Sequence, residues 1–121
     1  MAEGLILIVE DDKAFGEVTQ TVLETGGYSA RVANTCSEGL AIASDEMPAL
    51  LVLDVELPDG NGLSLLETIR QRYGDQHVPA ILVSSKPVSR SELRNHKVER
   101  FIPKPFDMAH LVELVDEVLR R

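Results

Sequence analysis

A doubly wound α/β fold, with five parallel strands in the order 2-1-3-4-5 and five helices, is predicted by three features of this 121-residue sequence. First, the aliphatic runs Leu5-Ile6-Leu7-Ile8-Val9, Leu50-Leu51-Val52-Leu53 and Ala80-Ile81-Leu82-Val83 show no polar alternation, so each reads as a strand covered on both faces. Second, segments of helical spacing fall between the runs, as right-handed crossovers in a parallel sheet require. Third, polar residues arrive at the C-terminal end of each run: Glu10-Asp11-Asp12, Asp54 and Ser84. That edge is where ligands bind in open α/β sheets.

Taken in order, Leu5 to Val9 is a central strand. Ala14, Phe15, Val18 and Val22 follow helical spacing up to Thr25, and Gly26-Gly27 stops that helix. The more polar Tyr28 to Val32 suits a strand near the sheet edge. Thr35 and Glu38 stand in capping-box spacing ahead of a short helix through Ala43 that ends before Pro48. After the Asp54 strand, Gly60-Asn61-Gly62 makes a turn, and Leu65, Leu66, Ile69 and Tyr73 mark a third helix closed by Gly74. Val78 to Ser84 is the fourth strand. Pro87 to Glu99 predicts a short, loosely packed helix, with Ser89 and Glu92 in capping-box spacing and only Val88, Leu93 and Val98 aliphatic. Phe101-Ile102-Pro103 is a brief fifth strand whose proline suits an edge. Asp107 caps the last helix, whose Leu111, Leu114, Val115, Val118 and Leu119 form one stripe, with Glu113, Asp116, Glu117 and Arg120 outside.

The length fits a single domain spanning residues 1–121, large enough to bury a core. A net charge of -8, from 20 acids against 12 Lys and Arg, opposes binding to nucleic acid phosphates by this chain itself. The apolar run before Glu10 is too short for a signal peptide or a membrane span, so a soluble cytoplasmic protein without membrane contact is expected. Cys36 is the only cysteine, which precludes an internal disulfide and fits a half-buried thiol in a reducing compartment. His77, His96 and His110 show no ligand spacing and read as solvated.

An acid at the end of a central strand is a nucleophile, a metal ligand or a cap. The strand order makes the first and third strands neighbours, so Glu10 and Asp11 face Asp54. Carboxylates so close raise one another's pKa unless a cation sits among them, and an all-oxygen set selects a hard ion such as Mg²⁺. The fourth and fifth strands bring Ser84 and Lys104 to the same edge. These are the parts of phosphoryl transfer: Asp54 as carboxylate nucleophile, a metal and Lys104 against phosphoryl oxygens, and the Ser84 hydroxyl as donor. No residue is an evident base for activating water.

On these residues the sequence resembles the receiver domain of response regulators in two-component signalling, a flavodoxin-like phosphoacceptor. The likeness runs from Leu5 through Leu119 and rests on Ile6-Leu7-Ile8-Val9-Glu10-Asp11-Asp12, Leu51-Val52-Leu53-Asp54 with Leu57-Pro58-Asp59-Gly60, Ile81-Leu82-Val83-Ser84, and Lys104-Pro105-Phe106. The resemblance implies that Asp54 is phosphorylated by a sensor histidine kinase or phosphotransfer protein. It implies that Glu10, Asp11, Asp54 and the backbone carbonyl of Glu56 hold Mg²⁺. It also implies that Ser84 moves toward the phosphoryl group, that Lys104 pairs with it, that Lys104-Pro105 is cis, and that Phe101 is the aromatic switch residue. The kinase would dock near Phe15, Val18 and the Pro105-Phe106 loop. The face of the fourth helix, fifth strand and fifth helix would shift between inactive and active states, with room there for a homodimer. Such a domain is no enzyme toward other substrates, although it catalyses its own phosphorylation and dephosphorylation.

Ser84 stands where the family more often has Thr, Ser85 where it has Ala, and Phe101 where it has Tyr; the hydroxyl and the ring that the switch needs remain. Glu56 and Lys86, each two residues beyond Asp54 and Ser84, are expected either to pair across the site and slow access to it or to be simply solvated. Two other functions compete. A phosphatase of the haloacid dehalogenase type also uses Asp and Mg²⁺, but carries its nucleophile on the first strand. A receiver that has lost phosphorylation would lack one of the five key residues, and none is missing.

Overall fold

The computed structural model describes residues 4–120, so the outermost ends of the expected domain lie outside the described residues. The elements are β1 (Leu5–Val9), α1 (Lys13–Thr25), β2 (Ser29–Ala33), α2 (Cys36–Asp45), β3 (Pro48–Asp54), a small hairpin of β4 (Glu56–Leu57) and β5 (Gly60–Asn61), α3 (Gly62–Tyr73), β6 (Ala80–Ser84), α4 (Arg90–Asn95), β7 (Arg100–Pro103) and α5 (Met108–Leu119). The main sheet has five strands in the order β2-β1-β3-β6-β7, all paired in parallel. Counted within that sheet the order is 2-1-3-4-5, the one the sequence predicts.

Successive side chains on the central strands point to opposite faces, and the whole of β1 is buried. Leu7, Val9, Leu51, Leu53 and Leu82 pack with Ala43 of α2 and with Leu65, Leu66 and Ile69 of α3. The alternate residues Ile6, Ile8, Leu50, Val52 and Ile81 pack with Leu23 of α1 and with Leu111, Leu114 and Val115 of α5. Two cores thus sandwich one sheet, which explains why its inner strands carry no polar alternation.

Several local details differ from the sequence reading. Helix α1 turns a different face to the sheet: Gly16, Thr19 and Leu23 are buried, whereas Val18 is 50% exposed. Gly16 permits that approach, because a Cβ there would lie 2.9 Å from Val32 Cγ1 on β2, and Thr19 is buried without cost to its hydroxyl, which donates to the Phe15 carbonyl at 2.8 Å. Pro48 starts β3 instead of merely ending the preceding helix, at the first strand position, where a missing N–H is tolerated. Asp116 is half-buried and not on the solvent face, since its carboxylate accepts the Tyr28 hydroxyl. The expected Gly60-Asn61-Gly62 turn is in fact the end of the β4–β5 hairpin and the start of α3. Gly62 is required there, because a Cβ would collide with the Asp54 carbonyl oxygen. Helix α4 has six residues and none is buried, in line with the loose packing expected of it.

The histidines are not merely solvated. His77 Nε2 lies 2.6 Å from Glu99, His96 Nδ1 lies 2.8 Å from Glu67, and His110 Nδ1 lies 3.5 Å from Glu113. Between the first two pairs, the Arg70 guanidinium donates to the carbonyls of Val78, His96 and Lys97 and to Glu99 Oε1. Glu99 Oε1 also accepts from the Ala80 amide at 2.8 Å. One arginine from α3 therefore clasps the connection that leads from α4 into β7.

Candidate functional site

The polar residues converge at the C-terminal edge of the main sheet. Glu10 follows β1 and is buried; its carbonyl accepts from the Asn34 side chain, and its own amide donates to Ala33. Its carboxylate accepts the Asp12 amide through Oε2 at 3.1 Å. Asp12 in turn caps α1 by accepting the Phe15 amide, so the three acids separate in role: Asp12 ends the loop while Glu10 and Asp11 face the crevice. Asp54 ends β3, buried, with Oδ1 accepting the Glu56 amide at 3.0 Å.

Lys104, just beyond β7, completes the arrangement. Its ammonium donates to Glu10 Oε1 at 2.7 Å and to Asp54 Oδ2 at 2.8 Å, and its backbone amide donates to the Ser84 carbonyl at 2.8 Å. The Lys104-Pro105 bond is cis, as expected. Burial works against the Lys104 charge, but its hydrogen bonds to Asp54 and Glu10 outweigh it and hold its pKa above that of ordinary lysine. Burial pushes the Glu10 carboxyl up, and the ammonium only partly offsets this.

Glu10, Asp11 and Asp54 each offer a carboxylate oxygen, all within 4.8 Å of one another, with Asp11 on the exposed side. The donor set is entirely hard oxygen, which fits a divalent ion of the Mg²⁺ kind. Ser84 is buried at the end of β6, and its Oγ accepts the Lys86 amide at 3.0 Å. Phe101, paired with Leu82 in the sheet, is half-buried on the α2–α3–α4 side. Glu56 and Lys86 pair at 2.8 Å, both well exposed, and the Lys86 pKa is raised by its bond to Glu56.

One contributor escaped the sequence reading. Asp59, named in the sequence only as part of the Leu57-Pro58-Asp59-Gly60 motif and given no role, accepts the backbone amides of Cys36 and Ser37 and the Ser37 hydroxyl, so its carboxylate sits on the first turn of α2. Those amides hold its pKa below the ordinary carboxylate value, and burial, helped by the Asp59 charge, pushes the Cys36 thiol up. The hairpin after Asp54 is thereby tied to α2. An Asp two residues before an Asn-Gly turn was the only available signal, and it did not reveal the partner.

The parallel five-stranded sheet with helices on both faces thus carries at its C-terminal edge an acidic crevice bridged by one lysine, with the candidate nucleophile Asp54 at the end of the central strand β3. The family model for the response regulator receiver domain matches residues 6–116, and the chain belongs to that family. It is 32% identical over 123 residues to the uncharacterized transcriptional regulatory protein YkoG of Bacillus subtilis, covering 100% of this chain and 53% of that protein. It is 31% identical to the KDP operon transcriptional regulatory protein KdpE of Escherichia coli, covering 96% of this chain and 51% of that protein. The chain thus spans about half the length of these relatives. Among solved structures, a CheY-like receiver domain from Methanospirillum hungatei superimposes with a TM-score of 0.88 at 32% identity, covering 98% of this chain and 95% of that one. The chain is a receiver domain of the two-component response regulator kind. No helix among the described residues is long and apolar enough to cross a membrane.

Proposed function

We propose that Asp54 is the phosphoacceptor of this receiver. A carboxylate oxygen of Asp54 attacks the phosphorus of a phosphohistidine on a sensor histidine kinase or phosphotransfer protein. The P–N bond breaks, the imidazole leaves with its electron pair, and an aspartyl phosphate results. The observation that carries this reading is the pairing of Asp54 with the Lys104 ammonium at 2.8 Å, with the Glu10 and Asp11 carboxylates alongside. Lys104 is placed to follow the charge from Asp54 onto the phosphoryl oxygens, and Ser84 becomes their hydroxyl donor by leaving its bond to the Lys86 amide.

Glu10, Asp11, Asp54 and the Glu56 carbonyl are the residues that would hold Mg²⁺, which when bound neutralises phosphoryl oxygens. Once Ser84 moves, Phe101 turns inward, and the α4–β7–α5 face changes shape for a partner or for a second copy. The domain also hydrolyses its own aspartyl phosphate. It works in the cytoplasm as one unit over residues 1–121, touches neither membrane nor nucleic acid itself, and leaves any DNA contact to another region of a longer protein.

Acetyl phosphate with Mg²⁺ tests the reading. A mass increase of one phosphoryl group, absent from Asp54→Asn and blocked by a chelator, is expected. No increase at saturating donor would leave a receiver that acts only as an interaction module.

A further inference from the structure

One aromatic ring lies against the lysine of the site and a second ring braces the first. The Lys104 Nζ stands 4.8 Å from the centroid of the Phe15 ring, and Phe15 meets Phe106 edge-on, with centroids 5.5 Å apart and planes at 81°. Phe15 comes from the first turn of α1, and Phe106 follows two residues after Lys104. Beneath them lies a cavity of about 10 Å³ bordered by Glu10, Asp54, Thr19 and Leu111, with room for no more than one water. The ammonium, whose side chain is about one-fifth exposed, is thus held by two carboxylates on one side and faces a ring on another.

A butylammonium chain has many rotamers, and two carboxylates fix the position of its charge only in part. A ring face attracts a cation through its quadrupole, most strongly where the cation is poorly hydrated. The edge-on contact with Phe106 orients the Phe15 ring so that its face is turned to the charge.

Resting on the reading of Asp54 as phosphoacceptor, we propose that Phe15, braced by Phe106, is a positioning residue for Lys104: its ring keeps the ammonium beside Asp54, where the incoming phosphoryl group needs it. The role belongs to the ring face and not to the apolar bulk alone. Leucine would cover similar area and leave the ammonium without that attraction, whereas tyrosine would preserve it.

Acetyl phosphate separates this role from any contact that Phe15 makes with a kinase, since no docking is involved. Initial phosphorylation with saturating Mg²⁺ is expected to slow about three- to tenfold in Phe15→Leu and to stay within about twofold of the parent in Phe15→Tyr. A second readout needs neither metal nor turnover. The Lys104 ε-methylene protons, lying over a ring, should resonate upfield in the unphosphorylated protein and in Phe15→Tyr, and move to ordinary lysine values in Phe15→Leu. Unchanged Lys104 resonances in Phe15→Leu, or equal rates in the leucine and tyrosine variants, overturn the proposal. If the parent protein takes up no phosphoryl group, the reading of Asp54 fails instead, and the resonances still decide whether Phe15 positions Lys104.

Discussion

Replacing Lys104 by methionine keeps the length of the side chain and removes its charge, which isolates what the ammonium does for the folded state. In the native site it touches Glu10 and Asp54, whose side chains are 4% and 9% exposed, while its own is 21% exposed. Breaking a buried ion pair from one side costs about 3–5 kcal/mol, because the remaining charge is left unpartnered. Here each carboxylate keeps one backbone donor, from Asp12 or Glu56, and the lysine is partly wet, so about 3 kcal/mol is expected. The pH dependence has a definite sign. Glu10 already has a folded-state pKa above its ordinary value, so its proton is held more tightly in the native state, and native stability falls as pH rises through that raised pKa. Loss of the ammonium lifts this pKa further. The destabilisation in Lys104→Met should therefore be largest at neutral pH and shrink on acidification. Urea unfolding in chelator at neutral and mildly acidic pH measures both quantities. Identical midpoints for the two proteins at neutral pH, or a deficit that widens in acid, would refute the electrostatic account of this crevice.

Other consequences are open to test. Lys86→Ala, which removes the exposed partner of Glu56, should leave thermal stability nearly unchanged and shorten the lifetime of the aspartyl phosphate; an unchanged lifetime argues that the pair does not screen the site. Arg70→Met should cost about 2 kcal/mol in urea unfolding, because several backbone carbonyls lose a charged donor, and should speed amide exchange around residues 96–99. Burial and the nearby Asp116 carboxylate push the Tyr28 hydroxyl up to about 12, so alkaline titration of phenolate absorbance should show a late step that Asp116→Asn moves earlier. Since that folded-state pKa is raised, the stability that Tyr28 contributes is present below its ordinary pKa and disappears as pH climbs through about 12.

The order of the sheet and the convergence of Glu10, Asp11, Asp54, Ser84 and Lys104 were legible in the sequence for one reason. Strands buried on both faces are uniformly aliphatic, so their polar C-terminal ends stand out, and the parallel order then places those ends side by side. What escaped reading depended on partners remote in the chain. The buried face of α1 is made by Gly16 and Thr19, neither of them aliphatic, and it is recognisable only once Val32 is known to lie against it. Asp59 looks like any turn acid until α2 supplies its amides. His77 and His96 find their glutamates 22 and 29 residues away, a separation that no helical or strand period encodes.

The bridging lysine also makes the crevice a test of the chain's own integrity. Lys104 reaches Glu10 across 94 residues and Asp54 across 50, and these side chains meet only when β1, β3, β6 and β7 have all paired in register. Each such closure has an entropic cost that is recovered only by native pairing. An incomplete or misregistered chain would carry the same acids but not their arrangement. The crevice is in this way a property of the whole sheet and of no single segment: its charge balance exists only in the folded molecule.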